Sequence, residues 1–162
     1  MSKYDSRSDT ISHIATVRKY MTKLIREITN RSVNHDISKL SDPELSTFNE
    51  VTPKLKELTY GSEEYKAQLK EMNVALKHHY ENNPHHPEHY ENGITGMSLV
   101  DLCEMIADWK AASERHSDGD IYKSIDINQK RFGYSDELKS ILINTVDRYF
   151  STQNLKSEDV EI

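Results

Sequence analysis

The chain has 162 residues, 30% of them charged, with a formal net charge of −6, 35% apolar content, five glycines and four prolines. That length suits one domain with a single core, and few breakers among many Glu, Lys, Leu and Ile predict a helical protein. The negative balance excludes a broad basic surface for wrapping duplex nucleic acid, although a bound metal can invert the charge locally and admit a small anion.

Apolar runs reach only three or four residues, which excludes a membrane span, and the start Met1-Ser2-Lys3-Tyr4-Asp5 lacks the apolar stretch of a secretion signal. The expected setting is the cytoplasm. The single cysteine, Cys103, excludes an intrachain disulfide and is expected to be a small buried hydrophobe.

Residues 1–9 are polar and expected to be loose. From Thr10, the positions Ile11, Ile14, Val17, Met21, Leu24, Ile25 and Ile28 recur at helical spacing and predict an amphipathic helix to about Asn30. His13 falls about 60° from the centre of that apolar stripe on a helical wheel, an inward position. Taken alone it reads more simply as a core histidine than as a ligand. Next comes Asn34-His35-Asp36-Ile37-Ser38-Lys39-Leu40, where Asp36 by itself reads as a local cap. Ser41-Asp42-Pro43-Glu44 combines the pattern of a capping box with a proline in the first turn. A short helix with Leu45 and Phe48 should follow, ending near Thr52-Pro53, with one more apolar turn at Leu55 and Leu58.

Tyr60-Gly61-Ser62 breaks the chain, and Ser62 should cap a long helix whose seam is Tyr65, Leu69, Met72, Leu76, His79 and Tyr80. His79 prolongs that seam, whereas His78 points roughly 100° away from it, so His79 is the better ligand candidate. The stretch 78–89 holds His78, His79, His85, His86 and His89, five of the eight histidines. An even spread would put fewer than one there. Pro84 and Pro87 stiffen the segment that presents His85 and His86, and stiff ligands favour metal binding.

After a loop around Gly93-Ile94-Thr95-Gly96, Ser98 should cap a helix to about His116 that is apolar over most of its circumference, interrupted by a stripe of Asp101, Glu104, Asp108 and Arg115. Such acids usually face solvent; on so apolar a helix they can instead face a polar cleft. Helices around Ile121–Phe132 and from Ser135 to about Phe150 complete the chain, and residues 154–162 read as an acidic, disordered tail. Tyr60, Tyr80, Tyr90 and Trp109 could stack on a base, although aromatics at helical spacing are more often core.

These pieces fall in a recognisable order. His13 in the first helix, the His35-Asp36-Ile37-Ser38-Lys39 run, histidines at the end of a middle helix and just after it, and Asp108 within Glu104-Met105-Ile106-Ala107-Asp108-Trp109-Lys110-Ala111-Ala112 resemble the HD superfamily of all-helical metal-dependent phosphohydrolases. The resemblance spans residues 13–112. More narrowly, the whole sequence is similar to a small family common in bacteriophages and prophages that has no assigned reaction. Together with the helical pattern along the chain, the resemblance predicts an all-α, single compact HD-like domain of about six or seven helices over residues 10–153. It implies His13, His35, Asp36 and Asp108 as core metal ligands, with His79 and His85 or His86 completing a second site bridged by Asp36. It implies Lys39 facing substrate phosphate. The middle histidines are closely spaced, and the Gly-Tyr-Pro element of the cyclic-dinucleotide branch is missing, so cyclic dinucleotides are not the expected substrate.

The chemistry agrees with these residue types. Phosphoester hydrolysis is among the slowest uncatalysed reactions. A divalent metal lowers the pKa of bound water from 15.7 to about 7 and neutralises phosphoryl charge. Mixed imidazole and carboxylate donors suit one or two ions of Mn, Fe, Co, Ni or Zn. Glu104, one turn before Asp108, can serve as a general acid or base or orient a ligating histidine. Lys39, Lys110 and Arg115 are candidates to offset phosphate charge. The expected function is hydrolysis of a small phosphate ester or anhydride, first of all a nucleotide, in the host cytoplasm if the gene is phage-borne. No membrane partner is expected, and a homodimer stays open. The alternatives are a metal-containing protein that sequesters a nucleotide without turnover, and a helical interaction domain with incidental histidines.

Overall fold

The computed structural model describes residues 4–57, 64, 70, 72–115 and 119–151, and every regular element among them is helical, an all-α protein. Six α-helices are described: α1 (Arg7–Asn34), α2 (Glu44–Glu57), α3 (Asn73–Asn82), α4 (Leu99–Ser113), α5 (Ile121–Phe132) and α6 (Asp136–Thr145), the last continued by a wider turn over Val146–Phe150. Short 3-10 turns occupy Ile37–Leu40, Pro87–His89 and Gly93–Gly96. No described helix is long and apolar enough to cross a membrane. By its contacts the chain divides into two compact units, Met1–His35 and Asp36–Ile162.

The first unit is α1. It runs four residues beyond the expected end at Asn30, because nothing in Arg31-Ser32-Val33-Asn34 breaks a helix. Thr16, Thr22 and Thr29 each donate a hydroxyl to the carbonyl four residues earlier, so their polar groups are satisfied within the helix.

The second unit is built around α4. Ser98 starts it with a reciprocal capping box: its hydroxyl oxygen accepts from the Asp101 N–H, and the Asp101 carboxylate accepts from the Ser98 N–H. Asp101, first expected to share the acidic stripe, is buried in this role, and Tyr90 donates its hydroxyl to the same carboxylate at 2.8 Å. Gly96 makes that pairing feasible, since a Cβ there would stand 2.8 Å from the Tyr90 Cβ.

One face of α4 presents Met105 and Ile106 to a core completed by Ile121 and Ile125 of α5, Tyr134, Leu142 of α6 and Val146. Trp109 packs against this core, stacked with Phe132 and Tyr134, so it is structural rather than poised for a base. Leu99 and Cys103 are exposed, so α4 has a solvent face that its apolar sequence concealed, and the thiol is not a core residue. Asp120 caps α5 by accepting from Tyr122 and Lys123, and Gly133 ends it in the left-handed conformation (φ 67°) that glycine takes without strain. Ser135 caps α6.

At the other end, α2 packs against α3, and the Ile37–Leu40 turn packs against both. Helix α2 runs through Pro53 to Glu57 instead of stopping near Thr52. Its entry also differs from the expected capping box. Ser41 donates its hydroxyl to the Ser38 carbonyl, the Asp42 carboxylate accepts from the Ser46 N–H at 3.1 Å, and the Asp42–Pro43 peptide is cis. Glu44 is thereby released from capping, and its side chain is fully buried. The expected start of the middle helix at Ser62, with Tyr60, Tyr65 and Leu69, lies outside the described residues.

Candidate metal centre

Asp36 opens the second unit with a left-handed backbone (φ 55°), a conformation that Asp and Asn tolerate better than most residues because their short polar side chains bond locally. Here Asp36 Oδ2 receives Lys39 Nζ at 2.5 Å from one turn further on. The bend aims Oδ1 at α3 and the loop after it, 3.3 Å from His79 Nε2 and 3.5 Å from His85 Nε2. His79 Nε2 in turn lies 2.8 Å from His86 Nε2. Asp36, His79, His85 and His86 each offer one donor atom, and these four atoms all fall within 4.8 Å of one another.

Two of the imidazoles are held from behind by carboxylates. His79 Nδ1 lies 2.8 Å from Glu44 Oε2, and His85 Nδ1 lies 3.1 Å from Glu104 Oε1. An ionised carboxylate only accepts, so the hydrogen bond between His79 and Glu44 puts the ring hydrogen on His79 Nδ1 and leaves its Nε2 lone pair facing the cluster. That is how a protein orients imidazole ligands for a metal. His79 is 2% and His85 1% exposed, too buried to be incidental surface histidines.

The electrostatics keep the donors in the forms a cation needs. Burial, reinforced by the neighbouring His85 and His79 rings, pushes His86 down to about 3, so it is neutral near pH 7. Burial and the Lys39 charge also lower His79, against the opposing pull of Asp36 and Glu44. Burial pushes the Glu44 carboxyl up, but hydrogen bonds from His78, Ser38 and His79 outweigh it and hold the group below its ordinary value.

A pH dependence follows for the metal-free protein. His86 has an ordinary value of 6.5 and a folded value of about 3, so as pH falls the unfolded chain takes the proton first. The stability this contributes is whole above 6.5 and drains as pH falls toward 3. His79 acts in the same direction, and Glu44 adds to the loss below its ordinary 4.5. Thermal melts in chelator should show Tm falling steadily from pH 7 to 5; a flat profile over that interval would contradict the buried neutral imidazoles.

The remaining sequence candidates are distributed as follows. Asp108 is half-buried on α4 one turn after Glu104, close enough to bear on the charge of His86. His35 is half-buried at the end of the first unit, tied to Asp36 by the peptide bond. His13 lies on α1 in the first unit and is not among the four convergent donors of the second. His78 stands outside the four donors with Nδ1 on Glu44 Oε1, and exposed His89 bonds the Tyr80 carbonyl through Nδ1. Lys110 pairs with Glu114 at 2.5 Å beside the start of α5, and Arg115 is exposed just past the end of α4. Glu44 is the residue the sequence reading missed. Only its burial identifies it, because in sequence it completes the pattern of a capping box.

Fold and donor set together define an all-α protein with a histidine and carboxylate cluster able to hold a metal ion. The chain belongs to the family described as "Family of unknown function (DUF5662)", whose model matches residues 2–148. No curated protein and no solved structure matches it.

Proposed function

We propose that this protein is a metal-dependent phosphohydrolase of the HD type acting on a small phosphate ester or anhydride, most simply a nucleotide. One observation carries the reading: His79 and His85, each backed by a carboxylate at Nδ1, turn Nε2 toward the same Asp36 oxygen. Asp36, His79, His85 and His86 would hold the ion, and their mixed nitrogen and oxygen donors suit Mn, Fe, Co, Ni or Zn. When bound, such an ion supplies hydroxide near neutral pH and offsets phosphoryl charge.

The chain's own groups supply the rest. Glu104 orients His85 through Nδ1, which favours the orienting role over general acid or base work. Lys39 spends one ammonium hydrogen on Asp36, and its side chain is 38% exposed beside the cluster, so two donors remain to meet phosphate oxygens from solvent. The net charge of −6 disfavours a polyanionic polymer and leaves small phosphates as the substrate class. A bacteriophage setting would fit action on nucleotide pools.

The test is a phosphate-release screen over nucleotides and simple phosphomonoesters with the metal-loaded protein, beside Lys39→Gln. Turnover that falls on the order of 100-fold in the variant, with metal content kept, supports the assignment of Lys39 to transition-state charge. Stoichiometric metal with retained nucleotide and no phosphate release would favour a sequestering protein instead.

A further inference from the structure

We infer that Glu44 is a positioning residue of this centre, a single buried carboxylate that clamps two adjacent imidazoles and fixes His79 with its Nε2 lone pair facing the cluster. The inference rests on the metal-centre reading and goes beyond it by assigning a residue that touches neither the ion nor the substrate. Glu44 is 0% exposed, and its two oxygens are divided between two rings: Oε1 lies 2.7 Å from His78 Nδ1 and Oε2 lies 2.8 Å from His79 Nδ1. As an acceptor-only group it imposes the same tautomer on both rings.

Two other polar groups approach His79 Nδ1, and neither displaces Glu44. Ser38 Oγ is 3.5 Å away, too long for a firm hydrogen bond, and its hydroxyl also bonds Glu44. Asn83 Nδ2 lies 3.0 Å from His79 Nδ1, which would make Nδ1 an acceptor if a hydrogen pointed there. But that amide has two hydrogens and two better acceptors, Ser38 Oγ and the His79 carbonyl, each at 2.8 Å. With both hydrogens committed, Asn83 holds the end of α3 and leaves Nδ1–H of His79 to Glu44.

The clamp matters because a neutral imidazole left to itself prefers its hydrogen on Nε2. That hydrogen would point at Asp36 Oδ1, 3.3 Å away, and make His79 a donor inside the cluster instead of a ligand. His78, with a side chain 36% exposed, anchors the other oxygen and so holds the rotamer of the carboxylate. Its role is expected to be the weaker of the two, since the contact of Oε2 with His79 survives without it.

The experiment is long-range proton–nitrogen correlation NMR on metal-free protein carrying nitrogen-15 histidine, with rings assigned by single His→Gln variants, together with Zn titration. The wild type and His78→Gln should both show His79 protonated at Nδ1. Glu44→Gln, which offers one acceptor and one donor in the same volume, should move His79 to the Nε2–H form and weaken Zn binding by about 10- to 100-fold. A wild-type His79 protonated at Nε2, or wild-type Zn affinity in folded Glu44→Gln, overturns the inference. Should Glu44→Gln fail to fold, the wild-type spectrum decides. A Zn-loaded protein without phosphate release defeats the hydrolase reading while the ring tautomer still decides the role of Glu44.

Discussion

Asp36→Ala is expected to reduce bound transition metal from stoichiometric to trace and to bring phosphate release down to background. Its Oδ1 is the one oxygen toward which both carboxylate-backed imidazoles turn, at 3.3 Å and 3.5 Å. Without it, the three remaining imidazoles of the group include no anionic donor to offset the charge of a divalent ion. Alanine is also poorly suited to the left-handed backbone at this position (φ 55°), so part of any loss in that variant could be conformational. Asp36→Asn separates the two effects. Asparagine tolerates the same backbone and keeps the shape of the side chain while removing its charge, so it should fold like the wild type and still lose the metal. Elemental analysis of untagged protein reads the result directly, and unchanged metal equivalents in Asp36→Asn would remove Asp36 from the centre.

The residues brought together at this centre were legible to different degrees, for physical reasons. His79 could be separated from its neighbour His78 by helical arithmetic, and the structure places it 2% exposed, whereas the His78 side chain is 36% exposed. His85 and His86 follow a proline in a short stiff segment, where sequence proximity nearly guarantees spatial proximity, so no long-range information was needed to group them. Glu104 rested on a weaker argument, that an acidic stripe on an otherwise apolar helix has to face something, and it lies against His85.

Glu44 was invisible because one pattern has two readings. Ser41-Asp42-Pro43-Glu44 satisfies the local rule for a helix start, and a local rule that is satisfied gives no reason to look for a distant partner. In the folded chain Asp42 does the capping, and the glutamate reaches residues 34 and 35 positions away in sequence. The same limit applies to α4. Its composition suggested burial nearly all round, yet Leu99 and Cys103 are exposed, because an apolar helix in a chain of this size has more apolar positions than the core can cover. The order of the α-helices was readable among the described residues, since capping residues such as Ser98, Asp120 and Ser135 act within a few positions of themselves, whereas the three 3-10 turns and the wider turn at Val146–Phe150 carry no such signal.

Met105→Ala is expected to lower stability by about 2–5 kcal/mol, the cost of removing a large side chain from a packed interior that closes only partly over the cavity. Met105 is 0% exposed and sits where α4 meets Ile121 and Ile125 of α5 and Leu142 of α6. For a chain of this length that corresponds to a fall in Tm of roughly 4–20 °C. Melts should be run in chelator so that metal binding does not mask the loss. The consequence reaches the centre because Met105 and Glu104 are consecutive on one helix, roughly 100° apart around its axis. A helix that settles into the cavity carries Glu104 Oε1 away from His85 Nδ1, now 3.1 Å distant, and loosens the orientation of that ring. Metal affinity should therefore drop in Met105→Ala at temperatures where the protein is still folded. Met105→Leu, which nearly conserves volume, should cost less than about 1.5 kcal/mol and leave the affinity in place. A Tm for Met105→Ala within 2 °C of the wild type would show that α4 is not held by this core, and the coupling between packing and centre would fall with it.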